Sequence, residues 1–347
     1  MRLVTVRPRA ADEGGSSEPR VGIVLESGRI LTIGVLAEIA PTSLPDEFGR
    51  LGLAALLGLD PDLSAIRQAF ELADSNAVDA AAIDSASVRL TAPIPQPGKI
   101  VGVGYNYLEH VREQGRERAA RPVLFSMFAN AVIGDAEPIR KPAGTHALDL
   151  EAELAVVIGK RASRVPAERA MQHVAGYMAA NDVTARDWQG QVRALRPGEQ
   201  GDGQWLRAKG SDTFLPLGPC LVTADELGDG RGLAVRSWLT TAEPGAPFEM
   251  QDGNSRDLMF GVAELIALIS AEVTLDPGDV IATGTPSGVG VFREPPIFLE
   301  PGDLVRVEVE RIGSLTSPIT DEDGRAPEGS PAALFLARTR GGGPGPT

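Results

Sequence analysis

Continuous apolar runs and strictly alternating ones divide this chain into predicted elements. Leu154-Ala-Val-Val-Ile158, closed by Gly159, reads as a buried strand, and Gly176-Tyr-Met-Ala-Ala180 reads as a second that ends in a dense polar cluster reaching Gln189. Between them, Val165 to His173 reads as a short helix with Pro166 in its first turn, which lets the two runs lie side by side in one sheet. Val305, Val307 and Val309 alternate with Arg306, Glu308 and Glu310, as a strand with two unlike faces requires. Asp276-Pro-Gly-Asp279 and Glu300-Pro-Gly-Asp303 are turns that each feed a strand. Leu258, Val262, Leu265, Ile266 and Ile269 follow helical spacing, with Asn254-Ser255 as the expected cap.

Residues 1 to 40 alternate short β-like runs with a Gly/Ser/Glu/Pro stretch at Gly14 to Pro19, which predicts a hairpin and a loose loop. Leu51 to Leu57 and Leu63 to Ala73 read as helices, Ser64 fitting only near a helix start. Thr91-Ala-Pro-Ile-Pro-Gln-Pro-Gly98 is extended, because each proline restrains the residue before it. The predicted organisation is therefore a small N-terminal domain (1–92), a connector (93–98), a main domain (99–323) and a tail (324–347) with a mobile tip. Many strands and few helices make the fold class mainly β with α.

With 347 residues, 43% of them hydrophobic, the chain can bury a sizeable core. A net charge of −14 argues against nucleic acid as a partner. The longest apolar candidate for a membrane span, Leu258 to Ile269, is interrupted by Gly261 and Glu264, so no membrane partner is expected. The start lacks the apolar core of a secretory signal and the lone Cys220 has no internal partner, from which a cytoplasmic location is expected.

Candidate chemistry begins at the mouth of the first buried strand, in Asp149-Leu-Glu-Ala-Glu153. Side chains two apart share a strand face, so Glu151 and Glu153 point the same way. By itself the pair also suits a solvated strand end. Asp182, where the second run ends, can supply a third carboxylate, and an all-oxygen site suits Mg²⁺, Mn²⁺ or Ca²⁺ better than zinc. His110 precedes Glu113 by three residues, so on a helical turn the carboxylate can fix the imidazole's tautomer and raise its basicity. Arg186 and Gln189 follow Asp182 closely enough to share a helical face. The glycines of Thr283-Gly-Thr-Pro-Ser-Gly-Val-Gly290 let backbone amides approach a ligand, but the loop lacks the Gly-Lys-Ser/Thr ending of a phosphate loop. Gly102-Val-Gly104 has Tyr107 where a dinucleotide fingerprint needs glycine, which excludes a Rossmann reading.

These segments together resemble the fumarylacetoacetate hydrolase family. The resemblance rests on Glu-x-Glu before Leu-Ala-Val-Val-Ile-Gly-Lys160, on Asn181-Asp-Val-Thr-Ala-Arg-Asp-x-Gln189, and on Lys99-Ile-Val-Gly-Val-Gly-Tyr-Asn-Tyr-Leu-Glu-His-Val-Arg-Glu113. Lys209-Gly-Ser-Asp-Thr-Phe-Leu-Pro-Leu-Gly-Pro219, Gln251-Asp-Gly-Asn-Ser-Arg-Asp257 and Pro277 to Gly290 continue it in the family's order, over about residues 99 to 319. It implies a mixed β-sandwich or roll core, a metal held by Glu151, Glu153 and Asp182, and His110, Glu113 and Lys209 as catalytic residues. It also implies that Arg186, Gln189, Thr283, Gly284 and Thr285 bind substrate, and that the assembly is a homodimer. His146 and His173 are expected to be structural or exposed. One departure is Met127, where the family usually carries Lys. Extra residues at the start, at Arg193 to Gly203 and at the end are a second, and the middle insertion follows Gln189 closely enough to join an active-site rim.

The activity implied is metal-dependent hydrolysis of a carbon–carbon bond in a β-diketo acid such as an acylpyruvate. Decarboxylation or enol–keto isomerisation of a 2-oxo acid uses the same electron sink without a nucleophilic water. A non-catalytic or biosynthetic member, with Met127 marking the loss of the ancestral reaction, is the alternative from another class.

Overall fold

The structure is a computed structural model, and it describes residues 1–9, 18–42, 44–118, 120–242 and 245–340. Among the described residues, an eleven-stranded sheet has at its centre the two apolar runs that the sequence singles out. Ala152–Ile158 pairs antiparallel with Val174–Asn181 on one side and with Val280–Ala282 on the other. Its side chains are buried on both faces, which is why the run is apolar from Leu154 on. Val280–Ala282 in turn runs parallel to Ile100–Gly104, and Val123–Met127 forms the edge beyond it.

This topology gathers the chemistry at one end of the sheet. The pairing of Ala152 with Asn181 sets Asp182 opposite Glu151, whose carbonyl accepts the Asp182 N–H at 2.9 Å. Because Ala282 pairs with Ala155 and the 280–282 and 100–104 strands are parallel, the segments leaving both strands emerge beside the Glu151 end of the central strand. The Thr283–Gly290 loop and the His110 helix, Leu108–Glu113, therefore meet the carboxylates. A separate five-stranded sheet includes Leu304–Val309, whose buried and half-buried residues alternate as expected, and its Val305, Val307 and Val309 join the core between the sheets.

At the N-terminus, Arg2–Pro8 pairs antiparallel with Arg20–Val24, the expected hairpin; most of the Gly14 to Pro19 loop lies outside the described residues. The same first strand hydrogen-bonds to Leu215–Thr223, so the N-terminal segment extends the central sheet. Helices form at Leu53–Leu59 and Ser64–Leu72, with Ser64 at the start, where its N–H and that of Ala65 donate to the Asp60 carboxylate. The Val165 to His173 helix is a single α-turn, Ala167–Ala170, with Pro166 at its N-cap, followed by a 3₁₀ turn.

Two expectations need correction. Asn254 does cap, but it caps a 3₁₀ turn at Ser255–Asp257, and the long helix is Val262–Glu272. Leu258 lies outside that helix and forms an isolated bridge with Tyr107; the helix starts after Gly261, whose N–H donates to Glu264 at 2.7 Å. The tail is also more structured than expected: Pro331–Arg340 is a helix with Ala332 and Phe335 buried, and the tip expected to be mobile lies outside the described residues from 341 on. No helix among the described residues is long and apolar enough to cross a membrane.

Candidate active site

Glu151, Glu153 and Asp182 are all buried, and one oxygen from each lies within 4.8 Å of the others. Lys209, from the short helix Trp205–Lys209, points its ammonium among them: Nζ donates to Asp182 Oδ2 at 2.6 Å, Glu151 Oε2 at 2.8 Å and Thr184 Oγ1 at 2.8 Å. Arg186 enters from the other side, with Nε donating to Asp149 Oδ2 at 2.9 Å and Nη2 2.7 Å from Glu151 Oε1. The Nη2 contact is an ion pair off the hydrogen-bond direction, since Nη2 has no hydrogen-bond partner. Asp149 is held further by the N–H groups of Gly290 and Val291.

Four buried carboxylates thus face two buried cations, Arg186 and Lys209. Their protonation follows from who touches whom. Burial opposes ionisation of Glu151, but Lys209 and Arg186 outweigh it and hold its carboxyl down to about 2. Burial pushes Glu153 well above the ordinary carboxyl range, and Asp182 and Glu151 add repulsion. Asp182 is pushed up to about 6, by burial first, against the pull of Lys209. Negative charge is in excess, and Asp182 Oδ1 is buried without a hydrogen-bond partner. An unpartnered anionic oxygen, an all-carboxylate donor set and a deficit of positive charge fit a hard divalent cation such as Mg²⁺ or Mn²⁺.

The cavity over this cluster has about 400 Å³ of open space including its mouth, and His110, Gln114, Gln189, Gln191 and Thr285 share its lining with the carboxylates. His110 is buried, with Nδ1 2.6 Å from Glu113 Oε1. The opposite wall is aromatic: Trp205 meets the rings of Tyr105 and Phe125 edge-on at 6.1 and 5.3 Å. Room for those rings explains the Gly102-Val-Gly104 motif, because a Cβ on Gly102 would lie 2.1 Å from Phe125 and one on Gly104 would lie 3.3 Å from Trp205.

The segments expected to touch substrate divide into two groups. Gln189 accepts from Arg186 Nη1 at 3.2 Å and lines the cavity. Thr283 and Gly284 instead serve the protein, Thr283 Oγ1 donating to the Leu154 carbonyl and the Gly284 N–H to Glu153 Oε2 at 2.8 Å. Gly284 holds a positive φ of 102°, which aims that N–H. Thr285 lines the cavity, but its hydroxyl is engaged with Gln251 and Ala152. Met127 lies outside the cavity and is buried in the apolar core beside Ile100. Gln191, just before the inserted segment, lines the cavity, whereas no residue of 193–203 does, and Arg193 ties the segment to the Val291 and Arg293 carbonyls. His146 sits between Asp187 and Glu199, and His173 bonds the Lys160 carbonyl. Sequence reasoning missed Asp149, Gln114 and Trp205; Asp149 alone gave a signal, as a third acid within the Glu151–Glu153 motif.

Several known proteins are similar to this chain in sequence and fold. A protein named oxaloacetate tautomerase fahd2, mitochondrial, from Xenopus laevis is 38% identical over 320 residues, 92% of this chain and 90% of the relative. Its human relative, named oxaloacetate tautomerase FAHD2A, mitochondrial, is 43% identical over 232 residues, 67% of this chain and 69% of its own length. Among solved structures, fumarylacetoacetate hydrolase from Exiguobacterium antarcticum superposes with a TM-score of 0.71 at 30% identity, covering 92% of this chain and 99% of that one. The 5-carboxymethyl-2-hydroxymuconate delta-isomerase from Mycobacterium smegmatis gives 0.64 at 32% identity with the same coverage. These relatives overturn the cytoplasmic expectation, since the curated ones are named mitochondrial. The absence of a secretory core, on which it rested, does not separate cytoplasm from mitochondrion. The model described as fumarylacetoacetate (FAA) hydrolase C-terminal matches residues 99–320, well over half of the sequence, and the chain belongs to the fumarylacetoacetate hydrolase family.

Proposed function

We propose that this chain is a metal-dependent keto–enol tautomerase or isomerase of a small 2-oxo acid, with the oxaloacetate class as substrate. The observation that carries this reading is the unpartnered, buried Asp182 Oδ1 within the carboxylate triad, set in one cavity with His110. The tautomerase and isomerase names among the relatives favour proton transfer over the carbon–carbon hydrolysis first expected from the sequence.

In this reading Glu151, Glu153 and Asp182 hold Mg²⁺ or Mn²⁺, which when bound supplies Lewis-acid polarisation to a 2-oxo carbonyl. His110, oriented by Glu113, takes a proton from the carbon next to that carbonyl. The C–H pair becomes the C=C bond, the carbonyl π pair moves to oxygen, and that oxygen receives the proton from His110 to give the enol; the opposite order gives the keto acid. Lys209 contributes fixed positive charge and Gln189 a side-chain amide where negative charge grows, Arg186 fixes Glu151, and Thr285 with the Thr283–Gly284 backbone fixes the Glu153 side of the site. The substrate's partner wall is Tyr105, Phe125 and Trp205. A homodimer remains the expected assembly, and the exposed Val123 and Leu124 on the outermost strand, with Phe128 just after it, support it; sedimentation in solution tests this.

Spectroscopic enol–keto conversion of oxaloacetate, with product analysis on acylpyruvates, tests the activity. Mg²⁺-stimulated conversion without cleavage is expected. Cleavage of acylpyruvates without tautomerisation would restore the hydrolase reading, and binding without turnover would indicate a non-catalytic member.

A further inference from the structure

The two nitrogens of His110 have different partners. Nδ1 lies 2.6 Å from Glu113 Oε1, and Nε2 lies 2.9 Å from the side-chain amide of Gln114. Glu113 also accepts the Gly288 N–H at 3.1 Å, which ties it to the loop beside the metal cluster. A carboxylate can only accept, so in the neutral ring Nδ1 carries the hydrogen and Nε2 presents its lone pair. The Gln114 group that meets this lone pair must then be its N–H. The arrangement is local: positions i, i+3 and i+4 share one side of the Leu108–Glu113 helix. Gln114 ends that helix, and Gly115, at a positive φ of 66°, turns the chain away after it. Gln114 and His110 line the cavity, whereas Glu113 stands behind the ring.

We infer that Gln114 is a positioning residue that guards the reactive nitrogen of His110 and favours proton transfer at carbon over activation of water. The inference rests on the tautomerase reading above. A primary amide carries a donor and an acceptor on one carbon. In the resting state its N–H holds the Nε2 lone pair and keeps water from it. When substrate enters, the amide swings off the lone pair, Nε2 takes the substrate proton, and a half-turn about the terminal bond presents the amide oxygen to Nε2–H. The proton passes from the substrate carbon to Nε2 and from Nε2 to the enolate oxygen, and the opposite order forms the keto acid. Methionine, similar in length, can make neither bond; with it, a water would take the place on Nε2.

The test compares wild type with Gln114→Met, both with histidine-selective ¹⁵N labelling. The chain has three histidines, so loss of one signal set in His110→Asn assigns His110. Wild type should show hydrogen on Nδ1 and a hydrogen-bonded, unprotonated Nε2. In Gln114→Met the Nε2 resonance should move, and kcat for tautomerisation should fall roughly 10- to 100-fold, the scale of a displaced catalytic group. KM and the melting temperature should stay near wild type, and any acylpyruvate hydrolysis should rise relative to tautomerisation. Unchanged His110 resonances with wild-type kcat overturn the inference, as does a fall in kcat accompanied by a matching loss of thermal stability. If neither protein tautomerises a 2-oxo acid while the Nε2 resonance still moves, the proposed reaction fails, and with it the catalytic part of the inference, but the Gln114–His110 bond stands.

Discussion

Asp182 has one oxygen on Lys209 and the other on nothing, and that asymmetry carries measurable consequences. Glu153→Gln keeps the side chain's shape and its acceptor for Gly284 but removes a charge, so Mg²⁺ affinity should weaken by more than roughly 10-fold; calorimetric titration checks it. Protons compete with the cation for the same oxygens. Asp182 is pushed up from 3.8 to about 6 and Glu153 is raised as well, so below about 6 the folded site holds protons that the cation must displace. The rise in melting temperature on adding Mg²⁺ should therefore be small near pH 5 and grow as pH rises through about 6; a pH-independent rise would contradict the shared site. Asp149 is a different case. It accepts from Arg186, Gly290 and Val291 inside the protein, and Asp149→Ala would leave the buried guanidinium one partner short, at a cost of about 3–5 kcal/mol in denaturant unfolding. At this scale much was legible: alternation in a strand set Glu151 and Glu153 on one face, and Asp182 followed from the end of the neighbouring run. Gln114 was not, because nothing in its type separates an exposed glutamine from one bonded to a cavity imidazole.

The central strand and the two parallel segments beside it decide where the chemistry sits, and glycines set how closely their neighbours approach. Gly102→Ala should illustrate this. Its Cβ would fall 2.1 Å from the Phe125 ring, which must swing and reshape the aromatic wall, so KM should rise while Mg²⁺ affinity stays near wild type. Unchanged steady-state kinetics would mean that the wall does not contact substrate. Legibility at this scale depends on how local the signal is. Pro-Gly-Asp turns and apolar runs were readable because their cause lies within a few residues. The helix expected from Leu258 begins later, at Val262, because Leu258 is drawn into a bridge with Tyr107, a partner far away in sequence. The Pro331–Arg340 helix was missed for a similar reason: its neighbour is the Gly313–Asp321 strand, and its own pattern of apolar residues is weak.

Across the molecule, the N-terminal segment and the site-bearing sheet are physically continuous. Leu3, Leu31, Leu36 and Leu56 pack in one core with Val157, Met178, Leu217 and Val280. Removing residues 1–92 would uncover that core and the edge of the Leu215–Thr223 strand, so the truncated chain should be recovered mainly as aggregate in sedimentation, with a soluble, metal-binding fragment as the contrary result. Sequence gave no sign of this shared core, since a proline-rich connector reads the same whether the segments it joins pack together or not. The central claim, a buried carboxylate triad whose bound cation and His110 together move a proton on a 2-oxo acid, is tested most directly by one assay. Enzyme stripped with EDTA and then titrated with Mg²⁺ or Mn²⁺ is followed by the absorbance of enolic oxaloacetate as it converts to the keto form. Wild type should be inactive when stripped and regain conversion with either metal, while His110→Ala, equally loaded, should be slower by roughly 10²–10⁴-fold. Full conversion by the stripped enzyme, or by loaded His110→Ala, would contradict it.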